Sequence, residues 1–425
     1  MPFVLIKGRF FMIDNEVKKP RVMLAAVDLG EYDAEQSLDE LEELAQTAGA
    51  ETVVRVIQKR PAFDSATCIG SGRLEEMAEI CQREEIDQII FDHELTATQI
   101  RNIEEVCGVH TIDRTMLILD IFAQRATTHE GRLQVEIAQH RYRLPRLAGM
   151  GVKLSRLGAG IGTRGPGETK LETDRRHIRT RIATINQELK EIEKRREHQR
   201  ARRKKDGVLI CAIVGYTNVG KSTLLNTLTE ADVLAENKLF ATLETTSRAI
   251  ELPDGRSVLL IDTVGLIRRL PHHLVEAFKS TLEEAANADV ILHICDASSD
   301  NCEEQARVTL ELLKELGCEG IPVVTAFNKC DKADLPDDIT SDDVVKISAK
   351  EGTGIDNLLL AIQNALPQSA IRTRLLLPFD KAGLLSVIRI DGKVFSEEYT
   401  AEGIVVDALV DIKVFSKVDE YKIKQ

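Results

Sequence analysis

One stretch constrains the fold more than any other. Gly215-Tyr216-Thr217-Asn218-Val219-Gly220-Lys221-Ser222 fits the phosphate-loop pattern G-x-x-x-x-G-K-[ST]. Before it, Val208 to Val214 is continuously apolar, as a buried parallel strand is. After it, Ser222 to Leu228 carries a helical pattern. Strand, glycine loop and helix in that order are the context that gives the motif meaning. Gly215 and Gly220 let the backbone bend and turn its N–H groups inward around phosphates. The helix N-terminus adds partial positive charge. Lys221 then reaches toward β- and γ-phosphates, and the Ser222 hydroxyl is placed to bind Mg²⁺.

Two further words narrow the ligand. Asp262-Thr263-Val264-Gly265 is a D-x-x-G that closes the strand-like run Val258 to Ile261, with Asp262 standing 41 residues after Lys221. An Asp at a strand's carboxyl end can hold Mg²⁺ through water, and the Gly265 N–H can bond a γ-phosphate. Asn328-Lys329-Cys330-Asp331 is an N-K-x-D after the strand-like run Ile321 to Phe327. The Asp331 carboxylate can accept from guanine N1–H and from the 2-amino group. Adenine offers no such pair of donors, and a site built on those bonds discriminates by roughly 10⁴-fold. Ser348-Ala349-Lys350 follows Val344 to Ile347 and can close over the base's O6. Taken alone it reads rather as a plain strand-to-helix loop. Together the words describe a guanine nucleotide switch.

The chain has 425 residues, of which 43 % are hydrophobic, enough for two to four domains with real cores. No apolar run approaches the ~20 residues of a membrane span. Met1 to Ile13 is broken by Lys7, Gly8 and Arg9 and lacks a signal-peptide core. The expectation is a cytoplasmic protein. Eight scattered cysteines form no C-x-x-C or zinc spacing and read as reduced thiols. The net charge of −13 argues against nucleic acid, but its distribution reverses that. From Arg141 to Lys205 there are 20 Lys and Arg against 7 Asp and Glu, a net of +13, so the rest carries −26. An acidic chain with one basic arm is built to meet a polyanion at one place.

Four regions follow. Residues 1–112 read as a small parallel α/β domain, with strands at Pro20 to Asp28, Glu51 to Gln58 and Gln88 to Phe91, and helices at Ala34 to Ala48, Gly72 to Glu85 and Ala97 to Val106. Asp92, His93 and Glu94 read there as a solvated strand end, and Ile69 to Gly72 as a phosphate-like turn too short to claim. Residues 113–206 are helical and basic. Ile112 to Leu144 reads as helix, and seven glycines interleaved with cations run from Gly149 to Gly167. A long helix follows. Its Ile178, Ile182, Ile185, Leu189 and Ile192 form a heptad seam like that of a coiled coil. It ends in Lys194-Arg195-Arg196 and Arg200 to Lys205. Glycine-rich cationic backbone and this basic helix end suit RNA phosphates; a flexible linker and a solvated helix end are the bland readings. Residues 207–367 form the P-loop GTPase domain, closed by a helix at Gly352 to Leu366. Residues 368–425 form a small α+β domain, with strands at Leu375 to Pro378, Lys393 to Phe395, Gly403 to Val406 and Asp411 to Phe415 and a helix at Asp380 to Ile388.

Over nearly its whole length the chain resembles the HflX family of ribosome-associated GTPases. The resemblance is carried by Gly158-Ala159-Gly160-Ile161-Gly162-Thr163-Arg164-Gly165-Pro166-Gly167-Glu168-Thr169-Lys170-Leu171-Glu172 and by Phe240-Ala241-Thr242-Leu243. It implies GTP and GDP contacts from Phe240 through Glu244 in addition to the loops above. It makes Thr242 the switch threonine that joins Ser222 on Mg²⁺, although Thr245 and Thr246 fit from sequence alone. Lys221, Thr242 and Gly265 become the candidates for a direct part in hydrolysis. The implied partners are the large ribosomal subunit and its rRNA, the implied role is splitting or rescue of ribosomes under stress, and the free protein is expected to be a monomer. An ATP-dependent RNA-unwinding activity is also attributed to some members.

Two positions depart from the family pattern. Glu244-Thr245 replaces Asp-Pro after the switch segment, and Leu266 replaces Phe after D-x-x-G. Many GTPases place a Gln at the latter position to orient water, and a Leu cannot hydrogen-bond it. External help is then required, from the ribosome or from K⁺. Asn218 matches the loop position at which potassium-dependent GTPases hold K⁺ with an Asn oxygen; otherwise Asn218 only stabilises the loop. Two rival functions remain. A tRNA-modification-type GTPase normally needs a partner cofactor domain or a catalytic Cys near its terminus, and Tyr421 to Gln425 contains no Cys. An RNA-remodelling NTPase would need a second nucleotide site, and no second phosphate-loop word occurs.

Overall fold

The computed structural model describes residues 3–6, 9–12, 19–147, 166–229, 239–240, 246–269, 283–333, 341–367 and 370–423. The glycine-rich segment 149–165 and the expected switch residues Ala241, Thr242, Leu243 and Glu244 lie outside them. The chain divides into two units, residues 1–124 with 138–183, and residues 125–137 with 184–425.

In the first unit, β1 (Phe3–Ile6) and β2 (Arg9–Met12) form an antiparallel pair. A second sheet is wholly parallel in the order β4-β3-β5-β6, from β3 (Arg21–Asp28), β4 (Glu51–Lys59), β5 (Gln88–Phe91) and β6 (His110–Asp113). Helices α1 (Ala34–Thr47), α2 (Ser71–Arg83) and α3 (Ala97–Cys107) make the crossovers. Their ends are written locally. The Asp33 carboxylate accepts from the Glu35 and Gln36 N–H groups, and Thr96 and Gln99 form a capping box on α3. Met23, Ala25, Ile89 and Phe91 alternate along two strands into one core with Leu74, Met77 and Ile103.

Expected as one helix, the stretch from Ile112 instead begins inside β6. It continues as α4 (Arg114–Arg125) and α5 (His129–Arg146). Asp113 makes the joint: its carboxylate accepts from Leu95 N–H at 3.0 Å, Met116 N–H at 2.9 Å and the Tyr142 hydroxyl. Asp92 is also not a solvated strand end. It is 3 % exposed, accepting from Ser37 Oγ–H at 2.8 Å and from Arg114 Nη1 at 2.9 Å. A buried carboxylate needs such partners.

The long helix α6 (Pro166–Lys205) runs for 40 residues. Its expected seam is its less exposed stripe: Ile185 is fully buried, and Ile178, Ile182, Leu189 and Ile192 are half-buried. Beyond the apolar seam the stripe continues through Arg196, Arg200 and Arg203. There Arg196 pairs with Glu130 at 2.9 Å, and Arg200 with Glu284 at 3.0 Å and Glu283 at 3.7 Å.

The second unit holds a six-stranded sheet in the order β12-β11-β10-β7-β9-β8. Its strands are β7 (Leu209–Gly215), β8 (Thr246–Glu251), β9 (Ser257–Asp262), β10 (Val290–Asp296), β11 (Val323–Asn328) and β12 (Val344–Lys346). Only β8 is antiparallel to its neighbour. Helices α7 (Lys221–Thr229), α8 (Cys302–Glu315) and α9 (Ile355–Ala365) accompany it. Strand order reverses at β7 and β10, so the crevice for a ligand opens at their carboxyl ends.

After this sheet come β13 (Ala370–Leu377), α10 (Gly383–Asp391), β14 (Lys393–Tyr399), β15 (Ile404–Asp411) and α11 (Ile412–Val418). The strands form an antiparallel sheet in the order β13-β15-β14. The strand expected at Asp411 to Phe415 is therefore the end of β15 followed by a helical turn. Val414 and Val418, four apart, are buried together in this core.

Candidate nucleotide-binding site

The phosphate loop leaves the carboxyl end of β7 and enters α7, as its flanks predict. Two glycines are sterically required. A Cβ on Gly215 would stand 2.4 Å from the Ile294 carbonyl oxygen. Gly220 has φ +95°, and a Cβ there would stand 2.4 Å from Asn328 Nδ2. Asn218 is exposed at the loop's tip and also takes a positive φ, 62°.

Lys221 is buried, and its ammonium donates back to the carbonyls of Gly215 at 3.0 Å and Tyr216 at 2.7 Å. Burial pushes its pKa down to about 8, against the opposing attraction of Asp262. A phosphate arriving beside it would restore the charge it is losing.

Asp262 is 0 % exposed at the end of β9 and accepts from Ser222 Oγ–H at 3.0 Å. A buried hydroxyl and carboxylate side by side form a hard-oxygen donor set suited to Mg²⁺. Ser222 would bind the ion directly and Asp262 through water. Once bound, Mg²⁺ supplies positive charge against the triphosphate.

The D-x-x-G segment is laced onto the loop. Thr217 N–H donates to the Leu266 carbonyl at 2.8 Å, and Leu266 N–H donates to the Gly215 carbonyl at 3.1 Å. Thr263 Oγ–H donates to the Ile213 carbonyl at 2.7 Å. A Cβ on Gly265 would stand 2.8 Å from Thr217 Cγ2. Val264 and Leu266 are buried, the latter only 2 % exposed. Leu266 thus packs into the domain and presents no polar group to water.

The N-K-x-D and the Ser348-Ala349-Lys350 segment meet the same loop. Asn328, 2 % exposed, donates from Nδ2 to the Val219 carbonyl at 2.8 Å and accepts from Ala349 N–H at 2.9 Å. Lys329 Nζ donates to the Asn218 carbonyl at 2.9 Å. The exposed Asp331 accepts from Ser348 Oγ–H at 2.7 Å, and that bond holds its carboxyl below the usual range. Ser348-Ala349 is therefore tied to N-K-x-D, not merely a connection; Lys350 lies beside it, its side chain 77 % exposed. Phe240 is buried with a φ of 54°, and its five successors lie outside the described residues.

Two residues of this neighbourhood escaped sequence reasoning. Asp296, at the end of β10, lies 2.6 Å from Lys329 Nζ. His293, 1 % exposed on the same strand, has its pKa pushed down to about 4 by burial and by Lys221. Asp296 had a signal: like Asp262 it closes an apolar run, Val290 to Cys295.

A phosphate loop at the switch point of this sheet, joined to a D-x-x-G and an N-K-x-D, defines a P-loop GTPase. Family models match residues 35–123 (GTP-binding GTPase N-terminal), 125–203 (GTP-binding GTPase Middle Region) and 210–329 (50S ribosome-binding GTPase). The chain is 49 % identical over 396 residues to a GTPase HflX of Caldanaerobacter subterraneus subsp. tengcongensis, spanning 93 % of this chain and 92 % of that one. It is 49 % identical over 410 residues to a GTPase HflX of Lacrimispora saccharolytica, spanning 95 % and 97 %. Against a GTPase HflX of Escherichia coli it is 43 % identical over 357 residues, spanning 83 % and 84 %. The chain belongs to the HflX family of GTPases. Among the described residues no helix is long and apolar enough to cross a membrane.

Proposed function

We propose that this GTPase is a cytoplasmic, monomeric factor that binds the large ribosomal subunit in its GTP state, splits or rescues stalled ribosomes, and leaves after hydrolysis. Gly215 to Ser222 cradle the phosphates, and Gly265 N–H senses the γ-phosphate. Ser222 and Thr242 hold Mg²⁺, with Phe240 to Glu244 forming the first switch. Asn328, Lys329, Asp331, Ser348, Ala349 and Lys350 read guanine. The observation that carries this reading is that the separate words are bonded to the phosphate loop and to one another: Ser222 with Asp262, Asn328 with Val219 and Ala349, and Asp331 with Ser348. Ribosome binding is supported by the matched 50S ribosome-binding model and by the exposed cations Arg195, Arg202 and Lys205 on α6.

The test is cosedimentation with 50S subunits and 70S ribosomes under three nucleotides. Pelleting with a non-hydrolysable GTP analogue and not with GDP is the expected result. Equal pelleting with an ATP analogue would favour the RNA-remodelling reading, and no pelleting would end the ribosomal one.

Because Leu266 offers water no hydrogen bond, basal turnover is slow in this proposal and the ribosome or K⁺ raises it. A K⁺ held by Asn218 would add positive charge near the phosphates. Exchanging KCl for NaCl at equal ionic strength should then slow basal hydrolysis in the wild type and not in Asn218→Ala. Equal rates in both salts would remove the cation.

A further inference from the structure

We propose that Asp296 is a positioning residue for guanine nucleotide binding, acting through Lys329. The proposal rests on the assignment of guanine reading to Asn328 through Asp331. Lys329 is the one member of that word whose side chain reaches back to the phosphate loop by its charged end. Its Nζ bridges the Asn218 carbonyl at 2.9 Å and Asp296 Oδ2 at 2.6 Å. The lysine is thus a strap from the base-reading loop to the phosphate loop, and Asp296 fixes its far end.

The carboxylate is itself immobilised. Its Oδ1 accepts from the Ser298 N–H at 3.0 Å and from the Ser298 hydroxyl at 2.7 Å. The next residue, Ala297, donates its N–H to the Asn328 carbonyl at 2.9 Å, so the loop carrying Asp296 is bonded to the guanine word at backbone level too. The ion pair is mostly shielded, its side chains 23 % and 15 % exposed. It differs in this from surface pairs, whose ends wave in water and contribute little. Lys329 is also held at φ 63°, a backbone conformation that L-residues adopt at a cost. A strained lysine with two fixed partners is pre-organised for a ligand, because little freedom remains to be lost on binding.

The strap serves the nucleoside end of the ligand, so its removal should weaken GTP and GDP alike. The experiment is fluorescence titration of Asp296→Asn, Lys329→Met, the double variant, Asp331→Asn and Asp296→Glu with GTP, GDP and ITP. Asp296→Asn keeps an acceptor for Ser298 and removes the charge facing Lys329. It should weaken GTP and GDP by about tenfold each, with the GTP:ITP ratio unchanged. Asp331→Asn, by contrast, should collapse that ratio, since ITP lacks the 2-amino group. The double variant should bind no worse than the weaker single, because both remove one interaction. Asp296→Glu, which keeps the charge on a longer stem, should recover part of the loss. Losses that multiply in the double variant would overturn the proposal, as would an unaltered affinity in Asp296→Asn while Lys329→Met is impaired. Wild-type affinity in both Lys329→Met and Asp331→Asn would instead overturn the site assignment beneath it. Melting of the nucleotide-free proteins separates these outcomes from misfolding: Asp296→Asn should still melt in one cooperative transition, from a midpoint lowered by the lost ion pair, and GTP should raise that midpoint by less than it does in the wild type.

Discussion

Asp331 and His293 show how differently two titratable groups of one domain can be held. Asp331 is exposed and kept ionised by the Ser348 hydroxyl, ready to accept. Converting it to Asn replaces an acceptor by a group that also donates. GTP affinity should fall by roughly 100-fold or more, while weak ATP binding at the site stays unchanged; equal losses for both would deny it a role in reading guanine. His293 is buried and kept neutral. Its folded pKa of about 4 lies below its unfolded value, so the unfolded chain binds more protons between those two values. Stability from this residue is full above the unfolded pKa of roughly 6.5 and is lost as pH falls toward the folded one, amounting to about 1.4 kcal/mol by pH ~5.5. Chemical denaturation at about pH 7.5 and 5.5 should show this loss in the wild type and a shallower one in His293→Phe. The phosphate and guanine words were legible because each fixes residue identities at set spacing. His293 was not, since a lone histidine in an apolar run says nothing about what faces it. Asp296 differs: its partner, Lys329, is 33 residues away and becomes a partner only through strand order.

At the scale of elements, α6 separates what composition merged. Arg195, Arg202 and Lys205 face solvent, whereas Arg196, Arg200 and Arg203 continue the inward stripe toward Glu130, Glu283 and Glu284. The heptad was readable through Ile192 but not beyond, because arginine at a seam position reads as exposed until its carboxylates are known. A triple change of Arg195, Arg202 and Lys205 to Gln should flatten the dependence of log affinity for ribosomes on log salt, by ~0.7–0.9 for each phosphate no longer neutralised. GTP affinity should hold. Arg200→Gln should act differently. Glu284 is 6 % exposed, and a buried carboxylate that loses the nearer of its two guanidiniums destabilises the fold. Denaturation midpoints should fall in Arg200→Gln while the salt slope stays near wild type; the reverse pattern would mean that the inward stripe is what meets RNA. The misread strand at Asp411 to Phe415 has a similar origin. Alternating apolar residues over so short a run fit both periods, and burial of Val414 with Val418 decided for the helix.

For the larger assembly of elements, the GTPase sheet and the C-terminal sheet meet at the β8–β9 turn. Gly255 there has φ +87°, and a Cβ would stand 2.3 Å from Phe395 Cζ. Lys393 pairs with Glu251 at 2.6 Å, and Arg256 donates to the carbonyls of Pro367 at 2.8 Å and Gln363 at 3.0 Å. Gly255→Ala should cost about 1–2 kcal/mol for the left-handed backbone alone, and more because Phe395 must move. Adding Phe395→Ala should return part of that loss in a denaturation cycle; strict additivity would mean the ring and the turn do not communicate. The α/β character of both units was legible from strand–helix alternation. This joint was not, because nothing in Asp254-Gly255-Arg256 announces an aromatic ring from a distant strand.

The Arg200–Glu284 contact also bears on descent. A buried acid facing guanidiniums from a remote stretch of chain cannot easily be inherited one half at a time, because each intermediate strands a charge in the interior. Lineages that abandon it should therefore replace both partners together or shelter the step behind a neutral pair. The pairing would then leave a mark in the family's history as two columns that change in concert, readable from genomes alone.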